Sequence, residues 1–199
     1  MLKNIAIVDY GIGNYVSIAT SFNNLNCKVK LTKNYSDLVK ADALILPGVG
    51  TYPEAIKNLK KFNILEKLKS LIVKGKPTLG ICLGMQLLTD SSDEIKYTKG
   101  LSIIAGNIRS NLSQKTHVGW NNINIKDKSS IFYPFNNEYF YFQHAYSYQG
   151  LGKYKISQLK DQRKIVSIIQ KHNAIGVQFH PEKSQSIGIK FLKTFISQI

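Results

Sequence analysis

Arginine is nearly missing from this chain. There are two, Arg109 and Arg163, beside 25 lysines. Bases and phosphates are gripped best by the guanidinium fork, and the lysines do not cluster with interleaved aromatics, so nucleic-acid binding is set aside. Acidic residues are also few, 12 against 27 basic ones, which leaves a net charge of +15. That charge fits either an acidic partner or a solvated lysine surface. Cysteine occurs twice, at Cys27 and Cys82, which excludes a disulfide framework and suits a reducing, cytoplasmic location. No apolar run approaches the roughly 20 residues of a membrane span. No His, Cys, Asp or Glu cluster has metal-ligand spacing, so neither a metal nor a cofactor is expected. What remains is an ordinary globular composition, 43% hydrophobic and 20% charged. Its 199 residues are read as one domain, 1–199.

The first half alternates strand and helix. Residues 3–9 form a short Ile/Val run that ends at Tyr10-Gly11-Ile12-Gly13-Asn14, a strand and a turn rather than a signal peptide. Helical spacing follows over 15–25, a strand over 27–31, and a short helix to Lys40 that Ser36 is expected to cap. Residues 43–46 are a strand closed by Pro47-Gly48-Val49-Gly50. Helices follow over 53–59 and 64–73, then a strand at 77–81 and a helix at 83–88. This rhythm predicts an α/β fold, a mostly parallel sheet with helices on its faces. Beyond Gly100 the strands are short and many (107–110, 121–125, 139–142, 154–159, 164–170), which predicts an antiparallel extension. A last strand at 174–179 and a helix at 187–199 close the chain.

The sharpest local feature is Gly80-Ile81-Cys82-Leu83-Gly84, between a strand and a helix. This is the pattern of a nucleophile elbow with Cys in place of Ser. The tight turn requires small residues on either side. The helix N-terminus favours a thiolate, and the Leu83 N–H is aimed where an oxyanion would form. A glycine-rich turn around a buried Cys fits the same residues. A thiolate needs an acid/base partner, and that partner an orienting group. His180-Pro181-Glu182 follows the last strand, and residues two apart in extended chain face one side. Cys82, His180 and Glu182 thus make a candidate triad. His117 and His144, among aromatics, read first as packing histidines, and His172 as an exposed turn residue. Pro47-Gly48-Val49-Gly50 serves either as a second oxyanion donor or as a plain turn. The Gly11-Ile12-Gly13 turn lacks the third glycine and the downstream acid of a dinucleotide fingerprint.

Taken together, Gly80-Ile81-Cys82-Leu83-Gly84-Met85-Gln86 and His180-Pro181-Glu182 resemble the class I (triad) glutamine amidotransferases, which implies their flavodoxin-like fold. More narrowly, the chain is similar to the glutaminase subunits of imidazole glycerol phosphate synthase. The likeness spans almost the whole length and includes Asp9-Tyr10-Gly11-Ile12-Gly13-Asn14 and Val118-Gly119-Trp120-Asn121.

The resemblance implies that Cys82 attacks the glutamine carboxamide, that His180 serves as acid and base, and that Glu182 orients it. Leu83 and Val49 supply the oxyanion hole. Gly50, Gln86, Glu94, His144, Ala145 and Tyr146 match substrate-binding positions. Asn14, Trp120, Tyr141 and Lys183 match positions at the interface with a (β/α)8-barrel cyclase, which receives the ammonia as partner in a heterodimer. That partner makes imidazole glycerol phosphate and AICAR in histidine biosynthesis. In relatives the Pro-Gly-Val-Gly segment must flip to present its donor, so the isolated subunit is expected to be slow. Two segments depart from the family: Thr116-His117-Val118-Gly119-Trp120 for the usual Pro-His-Met-Gly-Trp, and Gln143-His144-Ala145-Tyr146 where Ser is usual at 145. Drift there also fits a paralogous glutaminase that supplies ammonia for amidating a surface-polysaccharide or flagellar-glycan sugar.

Overall fold

A computed structural model of the chain describes residues 2–110, 116–161 and 165–199. Arg163, and Lys164 at the start of the strand expected over 164–170, lie outside the described residues. In the first half β1 (Asn4–Val8), α1 (Tyr15–Asn23), β2 (Lys28–Thr32), α2 (Tyr35–Lys40), β3 (Ala43–Leu46), α3 (Tyr52–Lys61), α4 (Leu65–Val73), β4 (Thr78–Ile81) and α5 (Leu83–Leu87) follow in order. Short strands β5 (Ser91–Ser92) and β6 (Thr98–Lys99) lead into β7 (Gly106–Ser110), β8 (His117–Ile125), β9 (Tyr139–His144) and β10 (Tyr146–Gly150). The chain then forms β11 (Lys155–Leu159), β12 (Val166–Lys171), β13 (Ala174–Val177) and α6 (Gln185–Ile196).

Among the described residues nine strands form one sheet, in the order β2-β1-β3-β4-β13-β12-β11-β8-β9. The pairs from β2 to β13 are parallel. Those from β13 through β12, β11 and β8 to β9 are antiparallel. The sheet is therefore mixed, an expected parallel half joined to an expected antiparallel extension, but with four pairs of each kind it is not mostly parallel. A second, four-stranded sheet, β10-β7-β5-β6, was not expected. Two of its strands are two residues long, too short to show any period of hydrophobicity.

The central strands are apolar on both faces, as strands covered on two sides must be. In β1, Ile5 and Ile7 enter one core while Ala6 and Val8 enter the other. In β3, Ala43 and Ile45 separate from Leu44 and Leu46 in the same way. This is the two-residue alternation of a strand. Ile18 and Phe22 of α1 and Phe191, Leu192 and Phe195 of α6 cover one face, with Phe132, Phe135, Phe140 and Phe179. Residues of α2 to α5 cover the other. Ser36 does not cap α2, whose N-cap position is Asn34. Instead the Thr32 hydroxyl accepts the Asn34 N–H at 3.0 Å and donates to Asp37 at 2.8 Å.

Candidate active site

The carboxyl ends of β4 and β13 meet at Cys82. Its N–H donates to the Val177 carbonyl at 2.7 Å, so the sheet holds the nucleophile position directly. Cys82 has φ +50°, a region that side chains with a Cβ normally avoid. The strain is tolerated because both flanking glycines are needed where they stand. A Cβ on Gly80 would lie 2.5 Å from the Gly84 carbonyl oxygen, and one on Gly84 would lie 2.0 Å from the Leu46 carbonyl oxygen. The elbow is thus jammed between β3 and the first turn of α5. Cys27, by contrast, is buried with its Sγ 3.8 Å from the Leu25 carbonyl, and burial pushes its thiol up.

His180 is placed by the neighbouring strand β9. Its N–H donates to the Tyr141 carbonyl at 2.9 Å, and its own carbonyl accepts the Ser184 hydroxyl at 2.6 Å. Residues Pro181–Lys183 form one turn of 3-10 helix rather than extended chain. Proline's fixed φ suits that turn, and the Lys183 N–H closes it on the His180 carbonyl at 3.0 Å. The turn still brings Glu182 to His180, with Nδ1 and Oε1 2.9 Å apart and both side chains at most 3% exposed. Burial opposes charge on the imidazole, but hydrogen bonds to Cys82 and Glu182 and their negative charges outweigh it and raise His180 to about 10.

A cavity of about 300 Å³ opens beside this pair. It is lined by Cys82, Leu83 and His180, by Val49 and Gly50, and by Gln86, Glu94, His144, Ala145 and Tyr146. Every expected catalytic, oxyanion and substrate position therefore reaches one cavity, apart from Glu182, which stands behind His180. Glu94 accepts the Tyr52 N–H at 2.7 Å. Burial raises its carboxyl, and that N–H pulls it back in part. The segment 47–50 presses against the elbow, since a Cβ on Gly48 would lie 1.8 Å from the Ile81 carbonyl oxygen and 2.7 Å from the Leu83 nitrogen. Tyr10, fully buried, donates its hydroxyl to the Pro47 carbonyl.

Of the expected partner positions, Trp120, Tyr141 and Lys183 lie together. The Trp120 and Tyr141 rings are 6.1 Å apart, and Lys183 stands 5.7 Å over Tyr141. Lys183 also lines the cavity. Asn14 sits at the N-cap of α1 without capping it. Among the described residues no group of three His, Cys, Asp or Glu could hold a metal ion, and no helix is long and apolar enough to cross a membrane.

The family model described as "Glutamine amidotransferase class-I" matches residues 6–199. The chain belongs to the class I glutamine amidotransferases. This amidotransferase is 41% identical to "Imidazole glycerol phosphate synthase subunit HisH" of Lactococcus lactis subsp. lactis (strain IL1403), with all of both chains covered. It is 39% identical to the protein of the same name from Listeria innocua serovar 6a, covering 96% of this chain and 94% of that one. A solved structure described as "Structure of PurLQS from Thermotoga maritima" shares the fold at a TM-score of 0.79, with 16% identity, over 100% of this chain and 99% of that one.

Sequence reasoning missed two side chains at this amidotransferase's cysteine. Gln178 Nε2 lies 3.6 Å from the Cys82 sulfur, and Tyr10 holds the segment beside it. Gln178 precedes His180 by two in a β-strand run, so the same alternation that paired His180 with Glu182 points at it. His117 and His144 are buried as expected, but they are bonded to each other at 3.1 Å rather than merely packed.

Proposed function

We propose that the chain is a single-domain, cytoplasmic glutaminase that hydrolyses glutamine to glutamate and ammonia and delivers the ammonia to a (β/α)8-barrel cyclase partner in histidine biosynthesis. The observation that carries this reading is the Cys82 elbow opening, together with His180 and its buried Glu182, into a cavity of about 300 Å³. The two HisH relatives, matched over nearly their whole length, support the pathway and the subunit role.

In this mechanism the Cys82 sulfur adds to the side-chain carbonyl carbon of glutamine. The negative charge that develops on oxygen is met by the Leu83 N–H at the start of α5 and by the Val49 N–H. The protonated His180 gives its proton to the departing nitrogen, and ammonia leaves behind a glutamyl thioester. The now neutral imidazole takes a proton from water, which attacks the thioester and frees glutamate and the thiol. Glu182 keeps Nδ1 engaged, so that Nε2 faces the chemistry. Gln86, Glu94 and the wall at His144, Ala145 and Tyr146 hold the amino-acid head of the substrate. Since Ala145 has no hydroxyl, binding there rests on backbone groups.

The test is Cys82→Ala, assayed with the barrel partner present. Ammonia release should fall roughly 10^4- to 10^6-fold, with the thermal midpoint within a few degrees of the parent. Glutamine turnover in the alanine variant would end the assignment.

A further inference from the structure

A hydrogen-bonded chain runs from β8 to the reactive sulfur, and one atom fixes its direction. The Tyr146 carbonyl oxygen can only accept. His144 Nδ1 lies 2.8 Å from it, so that nitrogen carries its proton. Gln86 Nε2 lies 3.3 Å from the same oxygen, so Gln86 presents its NH₂ group there. That NH₂ group is also 3.3 Å from the Gln178 carboxamide. A donor on one side demands an acceptor on the other, so Gln178 answers with Oε1. Its own NH₂ group is then turned to Cys82 Sγ, 3.6 Å away. Gln178 is fully buried and Gln86 is 5% exposed, so solvent does not compete for these bonds. In the other direction, His144 Nε2 meets His117 Nδ1 at 3.1 Å, and His117 Nε2 meets Asn121 Nδ2 at 2.6 Å.

We propose that Gln178 is a further catalytic residue, whose carboxamide N–H donates to the Cys82 sulfur and stabilises it as thiolate, with His144 and His117 as positioning residues that hold the Tyr146 carbonyl. The proposal rests on Cys82 being the nucleophile. The sulfur also lies 3.6 Å from the Gln143 carbonyl, which can accept only from the thiol. On ionisation that contact becomes repulsive, and the donors that remain are Gln178 and His180. The other ionisable groups facing the site are Glu182 behind His180, Tyr10 beside the elbow, and Glu94, Tyr146, Lys183 and His144 on the cavity wall, the last with its Nδ1 proton engaged by the Tyr146 carbonyl. None of them offers the sulfur a neutral N–H.

The experiment is the rate of iodoacetamide alkylation of the full chain against pH, in a Cys27→Ser background so that one thiol reports. Gln178→Glu keeps the shape but turns an oxygen to the sulfur, and Gln178→Met removes the donor without adding charge. Both should slow alkylation at neutral pH about tenfold, the weight of one hydrogen bond to a charged group, and move the profile to higher pH. His117→Phe keeps the stacking on Phe142, 5.0 Å between ring centroids, but loses the donor. It should shift the profile the same way, and His117→Asn, which restores a donor, should return it toward the parent. Folded Gln178 variants with the parent's profile overturn the proposal, and matching profiles for the two His117 variants remove the relay from it. A parent chain that resists alkylation at Cys82 at every pH refutes the nucleophile reading itself.

Discussion

Cys82 takes a φ that costs on the order of 1–3 kcal/mol in a residue with a side chain. The Val177 hydrogen bond and two glycines with no room for a Cβ hold it there. His180 beside it carries a second cost, burial of a charge, offset by Cys82 and Glu182. Its folded value, about 10, stands above the unfolded imidazole's. The stabilisation from this pairing is therefore fully present below about pH 6.5 and is lost as pH rises through about 10. Glu182→Gln removes one of the groups that raise the imidazole. We expect the alkaline limb of glutamine turnover to move down by about 1–3 pH units, as read from a kcat/KM profile. At this scale the sequence was informative where one short string holds all the parts, as at Gly80 to Gly84 and His180 to Glu182. Gln178 was missed because its role depends on Gln86 and Tyr146, which are far from it in the chain.

Among the described α-helices, α5 is the shortest, five buried residues packed onto β4 and β13. The segment 47–50 leans on it from β3 and in turn on the first loop, where Ile12 lies against Gly50 and Tyr10 bonds to Pro47. Tyr10→Phe leaves the Pro47 carbonyl without this buried donor. It should cost about 1–3 kcal/mol, measurable by urea unfolding, and should change glutamine turnover more than a substitution of equal cost in α6. Strands β1 and β3 were legible because apolar side chains fill both faces, and β4 and β13 because Leu79, Ile81, Ile175 and Val177 fill one face while Gly80 and Gly176 leave the other open to close packing. So was helix α6, through Phe191, Leu192 and Phe195. Strand β10 was not: Tyr146 and Tyr148 alternate with Ser147 and Gln149, but the run is short, and Ser147 is buried where the alternation would put it outside. Its position is set by pairing with β7. The start of β8 at His117 was missed for a similar reason, since Val118 and Trp120 face outward there, 58% and 43% exposed.

For the whole molecule, the sheet separates two cores and brings the reactive groups out at one end. Lys183 on the cavity wall stands over Tyr141, whose ring meets Trp120, and we propose this face as the docking site of the barrel partner. Val49 in the cavity wall is an apolar residue, 46% exposed. A net charge of +15 favours encounter with an acidic surface but does not choose among such surfaces. If docking completes the oxyanion wall, the chain alone should turn over glutamine slowly. Adding the liganded barrel should raise kcat/KM by about 5- to 150-fold, the usual range of coupling between sites. Equal turnover with and without the barrel would mean that the wall is complete in the free subunit.

Covalent capture at the sulfur tests the central claim most directly. The complex with its barrel is mixed with glutamine, quenched in acid within the first turnover, and digested for mass spectrometry. The peptide containing Cys82 should carry one glutamyl group, absent when glutamine is withheld. A glutamyl group on any other residue, or ammonia released in the same mixture with Cys82 never modified, would contradict it.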